Sequence, residues 1–582
     1  MSVERGADAV VKTLENHDTE LVFGFIGHGT HEIADSMTKA GLRTVNPATE
    51  LGGAWMMNAY NYLRGRSAAV GAWHTVGTLL LHPALMEAMA SRIPSLHLGF
   101  NNDSRMSGRD GAIQQVPLET FTPLTRWAGR VNRIDKIAEA VQIAFPGAEG
   151  VPAGPSFLDI PMDVATDISE IVVPSERSVH PTAPQAADDD VREAAAQLLA
   201  AERPVIIVGG GAVLGDAGEE IRSIVELTGI PFVTTSTAQG LVSEEHPLCM
   251  GPAGMAGWRS ANETLAEADF ALVIGSRLSD WGIAQGFYAN LPSKIVQVDV
   301  DPAQLGEFYL PRLSIVADAK SFTKKLVEAL PQTSGFDSKP FEDREISKQA
   351  IKRRQSWLDW VEETGKSGGS PLSQWRIMAE LRGILDADDI LVSDIGNHSI
   401  PTMAGAINRQ PHRLLSSFGE GVLGCAFPMG IGAKLAEPDT NVVVASGDGA
   451  LQYHFNEMRV AIEHKTPMTV VLFNNNSYGA NHGMMSAWYG SPSWTEFANP
   501  DWTKLFEAYG GDGEKIDDAD DLGKALERGR ESATPYIIDV PVDAFEPFPE
   551  NQAVGPAMLI KGRELPGVKD SGIVVGEHLV IG

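Results

Sequence analysis

Two oxygen-bearing side chains stand at corresponding places in the stretch 441–479, NVVVASGDGALQYHFNEMRVAIEHKTPMTVVLFNNNSYG. Asp448 lies in Ser446-Gly447-Asp448-Gly449, directly after a β-branched run at 442–444. Asn475 lies in Asn474-Asn475-Asn476, directly after an apolar run at 468–473. An Asp carboxylate and an Asn carbonyl are hard oxygen ligands, suited to Mg²⁺ or Ca²⁺ carrying a phosphate. Gly447 and Gly449 let backbone approach a diphosphate with no Cβ in the way. Gly-Asp-Gly alone would serve equally as an ordinary strand-to-helix turn with Asp at the N-cap. The matched Asn475 is what turns the balance toward a metal site.

Holding these two oxygens side by side requires a strand, a helix over about 450–464 and a second strand. That is one right-handed crossover between parallel strands, and it brings both residues to strand carboxyl ends, where open α/β sheets bind ligands. The same alternation runs through the chain. Strand-like runs at 20–26, 67–72, 95–98 and 156–160 predict a parallel α/β domain over residues 1–185, followed by a linker at 173–189 rich in Pro, Ala and Asp. Runs at 203–208, 230–234, 270–274 and 295–300 predict a second such domain over 186–365, closed by a charged helix within 337–363. Residues 366–545 make the third, which carries Asp448 and Asn475. Residues 546–582 read as a C-terminal arm, either packed over a site or a loose tail. The expected fold class is α/β, with three doubly wound parallel-sheet domains.

Composition narrows the class of function. A chain of 582 residues, 43% hydrophobic and 21% charged, is that of a soluble globular enzyme of several domains. A net charge of −30 argues against nucleic acid and anionic membranes as partners. Cys249 and Cys425 are the only cysteines, too few for a disulfide framework or a cysteine metal site. MSVERGADAV lacks the basic and apolar regions of a signal peptide, and no uncharged apolar run reaches about 18 residues. A cytoplasmic protein is the resulting expectation.

Gly-Asp-Gly, a spacer and Asn-Asn together resemble the diphosphate signature of thiamin diphosphate enzymes. Three α/β segments with that signature in the third resemble their acetohydroxyacid synthase branch. The resemblance covers nearly the whole chain and implies a pyrimidine-binding domain, a central domain and a diphosphate-binding domain, in that order. It implies Mg²⁺ held by the side chains of Asp448 and Asn475 and the carbonyl of Ser477. The diphosphate would then lie along Gly447, Gly449, Ala450, Ser477, Tyr478 and Gly479. Asp394-Ile395-Gly396-Asn397-His398 resembles a diphosphate-contacting loop, with Asn397 and His398 as donors. Gly421-Val422-Leu423-Gly424 resembles the segment that wedges the cofactor into its bent shape. There Leu423 replaces the usual Met, another bulky apolar side chain.

In Asn46–Ala54, NPATELGGA, Glu50 fits the place of the family glutamate that bonds N1′ of the aminopyrimidine. A carboxyl group there favours the tautomer that activates the cofactor's own carbon nucleophile. Taken alone, a Glu at a helix start also complements the helix dipole. Because the family site lies between subunits, the resemblance implies a homodimer at least and a homotetramer by extension. In the central domain, Gly209-Gly210-Gly211, Gly275-Ser276-Arg277, Asp299-Val300 and Asp318-Ala319 match segments that cradle FAD in this branch. That flavin is often structural.

Several residues depart from the acetohydroxyacid synthase pattern. Gly275-Ser276-Arg277-Leu278-Ser279-Asp280 is followed by Trp281 where that synthase has an Arg gripping a carboxylate. A Trp cannot offer a bidentate fork. Met484 stands where the family Trp selects the second keto acid. Phe25-Ile26-Gly27-His28-Gly29-Thr30-His31 and Trp73-His74-Thr75 carry three histidines in loops expected to face the substrate, together with Gln114, Asn481 and His482. Such histidines can act as acids, bases and carbonyl donors near neutral pH, although each taken singly could be a structural residue.

The runs GFIGH, NPATELGGAWM, SDWGIAQG, DIGNH, GDGA with YHFNE, and SYGAN resemble the cyclohexane-1,2-dione hydrolases of the branch. The implied reaction is cleavage between the adjacent carbonyls of a 1,2-diketone, with water yielding an oxo-acid. The alternative is a carboligase that passes an acyl group from diacetyl or pyruvate to another carbonyl compound. A flavin oxidoreductase of the pyruvate-oxidase kind is a third reading, and a non-catalytic relative a fourth. Cyclic and acyclic diketones are not distinguished at this level, nor are the separate roles of His28, His31 and His74.

Overall fold

A computed structural model describes residues 2–109, 116–177, 182–254, 256–279 and 291–546 of the 582-residue chain. It contains three six-stranded sheets, one per expected α/β segment, and a short antiparallel pair of Ser2–Arg5 with Ile168–Ile171. Every ladder in the three large sheets is parallel. Strands such as Val442–Gly447 and Thr469–Asn474 are buried along almost their whole length, as expected when helices cover both faces.

The first sheet runs Thr44–Val45, Leu21–Gly24, Ala69–His74, Ser95–Asn101, Pro155–Pro161, Trp127–Arg130. The third runs Leu414–Leu415, Ile390–Ser393, Val442–Gly447, Thr469–Asn474, Tyr536–Pro541, Asp512–Lys515. Counting strands along each segment, both have the order 2-1-3-4-6-5, so the outer domains repeat one topology. The middle sheet runs Cys249–Pro252, Phe232–Thr234, Pro204–Val208, Phe270–Ile274, Ile295–Asp299, Leu313–Val316, the order 3-2-1-4-5-6. In each sheet the direction of winding reverses beside the first strand, and ligand crevices form at that reversal. The loops that leave it carry Gly27 to His31 and His74 in the first sheet. They carry Gly209 to Gly211 and Gly275 to Arg277 in the second, and Asp394 to His398 and Asp448 in the third.

The outer domains share a core. Helix Glu50–Arg64 packs along helix Ala426–Ala436, and a Cβ on Gly432 would fall 2.1 Å from the Met56 carbonyl oxygen. Only glycine allows that backbone approach. The expected single helix over 450–464 is two: Asp448–His454 and Met458–Glu463, joined by a 3₁₀ turn at Phe455–Glu457. A long-range contact accompanies the break. The fully buried Glu457 carboxylate accepts hydrogen bonds from the N–H groups of Ala48 (2.8 Å) and Thr49 (3.0 Å) and from the Thr49 hydroxyl (3.0 Å). No local pattern encodes that clamp. The charged connector is helix Glu345–Thr364, shorter at its start than the expected span.

Candidate active site

Asp448 opens its helix at the carboxyl end of Val442–Gly447 and is 1% exposed. Its Oδ1 accepts from the Gly449 N–H (2.9 Å), and its Oδ2 accepts from the Asn476 N–H and the Asn499 amide, both at 2.6 Å. Asn476 adopts a left-handed conformation (φ 54°), which Asn tolerates, as the chain turns after the adjacent strand. Every partner is neutral, and burial pushes the Asp448 carboxyl above its ordinary range. A carboxylate has about four acceptor sites, so three hydrogen bonds leave room for a cation, whose charge would offset the burial. Asn475 accepts the Ser477 N–H at 3.0 Å, and Ser477 is 4% exposed with its hydroxyl unpartnered. Among the described residues no cluster of three His, Cys, Asp or Glu side chains could hold a metal. The Asp448 site therefore offers one carboxylate beside amide and carbonyl oxygens, a donor set that fits a hard cation completed by phosphate oxygens.

The cradle around it is glycine-lined. A Cβ on Gly449 would meet the Tyr478 ring at 2.8 Å, and one on Gly479 would meet Asn475 Nδ2 at 2.6 Å. Ala450 is buried behind Gly449. A Cβ on Gly447 would come within 3.3 Å of the His398 ring. His398 stacks on Phe473, burial lowers it to about 4, and its Nε2 is buried without a partner. Asn397 differs. Its amide accepts from the Gln374 side chain (3.0 Å) and the Glu546 N–H (2.7 Å) and donates to the Glu546 carbonyl (3.0 Å). Its side chain is thus spent on the chain's own C-terminal segment. Residues 543–546 cross this site, since the Ala544 carbonyl also accepts from Asn475 (3.2 Å). The rest of the expected arm, 547–582, lies outside the described residues.

The stretch 417–426 is slung between two buried carboxylates. Asp394 accepts from the N–H groups of Ile395, Gly424 and Ala426, and burial raises it to about 6. Glu87, from the first domain, accepts from the other end of the stretch. Gly421 takes a left-handed turn (φ 64°), and Leu423 stands half-buried between the two anchors. Asn499 and Glu87 were not singled out from the sequence, and Asp394 was named only as the start of the 394–398 motif, with no role of its own. Asp394 at a strand end was the one recognisable signal.

Glu50 begins helix Glu50–Arg64, capped by the Thr49 hydroxyl, and is 4% exposed. A Cβ on Gly77 would fall 2.0 Å from its Oε1, so the carboxylate sits in a slot that glycine makes. His74 Nε2 lies 2.9 Å from Glu50 Oε1, and its Nδ1 accepts from the Gly77 N–H at 3.4 Å. His74 is thus held against the Glu50 carboxyl by close approach of its Nε2. The His74 ring also packs against Gly27 and Phe25, which ties the two loops together. His28 lies within 3.4 Å of Asn102 Oδ1, while His31 starts helix His31–Ala40 and is exposed. Only His74 of the three contacts Glu50. Asn481 is exposed on helix Gly479–Tyr489, and Met484 is half-buried on the same helix. Gln114, Asp280 and Trp281 lie outside the described residues. Glu50 and His74 belong to the first domain and Asp448 to the third.

The middle domain holds a cavity of about 280 Å³ at its own winding reversal. Gly210, Gly211, Gly275, Ser276, Arg277, Asp299, Val300 and Asp318 line it. Gly209 lies behind them, and Ala319 starts the helix that Asp318 caps. Gly275 has φ 64°, and a Cβ there would lie 2.4 Å from the Ala212 nitrogen. Burial raises the Asp299 carboxyl.

A repeated α/β topology, a buried carboxylate beside amide and carbonyl oxygens in one copy and a buried glutamate in the other fit an enzyme that works through a diphosphate cofactor. The chain matches the N-terminal TPP-binding, central and C-terminal TPP-binding domain models of the thiamine pyrophosphate enzymes at residues 4–120, 191–326 and 394–540, and it belongs to that family. It is 28% identical to a probable acetolactate synthase large subunit of Methanococcus aeolicus, over 92% of each chain. It is 29% identical to acetolactate synthase isozyme 1 large subunit of Escherichia coli, over 83% of this chain and 84% of that one. It is 28% identical to a sulfoacetaldehyde acetyltransferase of Castellaniella defragrans, over 90% of each. These similarities support its place on the acetohydroxyacid synthase branch.

Proposed function

We propose that the protein is a thiamin diphosphate-dependent carboligase that moves an acyl unit from a donor with adjacent carbonyls, such as diacetyl, to a second carbonyl compound. What carries the acyl-transfer reading is the end-to-end similarity to acetolactate synthases and to a sulfoacetaldehyde acetyltransferase. It reverses the order of preference drawn from the sequence, where hydrolysis came first. A diketone is preferred over pyruvate as donor because Trp281 and Met484 replace the synthase's carboxylate-gripping Arg and its selective Trp.

Bound thiamin diphosphate supplies a carbon nucleophile and a sink for negative charge. Asp448, Asn475 and the Ser477 carbonyl would hold its Mg²⁺. Gly447, Gly449, Ala450, Tyr478, Gly479 and His398 would contact the diphosphate, and Leu423 would support the bend. Glu50 would bond the pyrimidine ring, and His74, whose Nε2 already lies 2.9 Å from Glu50 Oε1, would steady that carboxyl group. The central cavity would hold FAD in a structural role. By the resemblance to the family, whose site lies between subunits, each site would be built from two copies, as a homodimer or homotetramer. The domain limits at 185, 365 and 545 are proposed with this assignment.

Hydrolytic opening of a 1,2-diketone such as cyclohexane-1,2-dione remains the second reading. The observation that favours it is His74 and His28 on adjoining loops at the winding reversal, where acid–base groups could serve water. Purified protein with Mg²⁺ and thiamin diphosphate, given diacetyl, cyclohexane-1,2-dione and pyruvate separately, tests both. A coupled product from diacetyl is expected. An oxo-acid alone from the cyclic dione would favour hydrolysis, and turnover of pyruvate well above both diketones would refute the donor assignment.

A further inference from the structure

Glu87 is 1% exposed on helix His82–Ala90 of the first domain, yet most of its partners belong to the third domain. Its Oε2 accepts from the Ser417 hydroxyl (2.6 Å) and the Glu420 N–H (3.0 Å). Its Oε1 accepts from the Gly419 N–H (3.1 Å) and from the Ser91 hydroxyl. The Ser417 hydroxyl in turn accepts from the Val422 N–H at 3.0 Å, one residue before Leu423. A single carboxylate therefore fixes the whole entry to the Leu423 turn.

The same contacts reach the central cavity. Ala90, Ser91 and Arg92 at the end of the Glu87 helix line it, and so do Phe418 and Gly419. A Cβ on Gly419 would lie 2.4 Å from the Ala90 Cβ, so loop and helix end are packed without slack. Arg92 pairs with Asp301 of the central domain at 3.1 Å, and its Nη1 is buried without a partner. A ligand pressing on this wall presses on the two segments that Glu87 joins. Buried hydrogen-bonded groups of this kind move together, because separating them strands donors away from water.

We propose that Glu87 is a positioning residue that couples the central cavity to the thiamin-binding turn, so that a flavin dinucleotide in the cavity strengthens thiamin diphosphate binding. The inference rests on the assignment of Leu423 to the thiamin site and of the cavity to FAD. Coupling of this sort is reciprocal and typically amounts to about 5- to 150-fold in affinity.

The test is calorimetric titration of the Mg²⁺-saturated full chain with thiamin diphosphate, with and without saturating FAD, and the converse titration. Native protein, Glu87→Gln, Glu87→Asp and Ser417→Ala are compared, with circular dichroism as the check on folding. In the native chain FAD is expected to tighten thiamin diphosphate at least about fivefold, and thiamin diphosphate to tighten FAD equally. In Glu87→Gln, whose amide would turn a donor toward donors, and in Ser417→Ala, each cofactor still binds alone and the ratio falls toward one. Glu87→Asp restores part of it. If Glu87→Gln fails to fold, Ser417→Ala decides. A ratio near one in the native chain, a native ratio retained in Ser417→Ala, or no binding of FAD would overturn the coupling. Failure of the native chain to bind thiamin diphosphate under either condition would overturn the thiamin assignment beneath it.

Discussion

Replacing Asp448 with Asn should move two properties in opposite directions. In the ligand-free protein Asp448 is a buried carboxylate with only neutral partners, and burial raises its proton affinity. The substitution removes that charge. It keeps an acceptor for Asn476 and Asn499 but turns an amide donor toward the Gly449 N–H, now 2.9 Å from Oδ1. One lost hydrogen bond costs about 1 kcal/mol. Relief of the uncompensated charge gains an amount of the same order or more. The ligand-free variant should therefore be as stable as the native protein or more so. With cofactor the order reverses. A ligand at 100 times its Kd stabilises the native state by about 2.7 kcal/mol. For a cooperative unit of about 150–250 residues that is roughly 5–11 °C in Tm. Asp448→Asn should lose this gain. Thermal unfolding followed by fluorescence, with and without Mg²⁺ plus thiamin diphosphate, reads both effects. A variant that keeps the ligand-induced rise, or one destabilised by several kcal/mol without ligand, would refute the assignment of Asp448 as a buried anion awaiting a cation.

Three further outcomes are expected. Glu457→Ala strands the Ala48 and Thr49 N–H groups, at about 1–3 kcal/mol each, and opens a cavity; urea unfolding should show a loss of roughly 3–6 kcal/mol, against a negligible loss if the clamp is idle. Gly77→Ala puts a methyl group 2.0 Å from Glu50 Oε1, so turnover should fall steeply while circular dichroism stays native; unchanged turnover would disprove the slot. Glu244, fully buried among Asn408 and Gln239, is raised by burial from 4.5 to about 7. Its folded pKa lies above its unfolded one, so the unfolded chain ionises first as pH rises. Native stability should thus fall by roughly 3 kcal/mol between about pH 4.5 and 7, relative to Glu244→Gln, and run parallel above that. Parallel curves across the whole range would show that Glu244 does not titrate there.

The strands and their carboxyl-end loops were legible because their signals are local. Runs such as 442–444 and 468–473 end in Gly and Asn, and the structure has strands at Val442–Gly447 and Thr469–Asn474. Asp448 and Asn475 come from adjacent parallel strands, as the crossover requires. Asn397 shows where such reading stops: its type suited a diphosphate donor, but Glu546, distant in sequence, occupies its amide. The helical stretch expected over 450–464 is present but interrupted at Phe455–Glu457, where Glu457 reaches partners at 48–49 that no local pattern announces.

What the sequence settled alone is the α/β alternation and the placing of metal-capable oxygens at strand ends, since strand, turn and glycine preferences act within a few residues. Which side chains meet was decided only by the tertiary fold. The Glu50–His74 pair, the Asn499 amide on Asp448 and the reach of Glu87 across domains join residues tens to hundreds of positions apart. Such contacts form when sheets stack and exclude water, and a buried carboxylate then takes whatever donors the packing brings, because leaving it bare costs more than any local preference can repay.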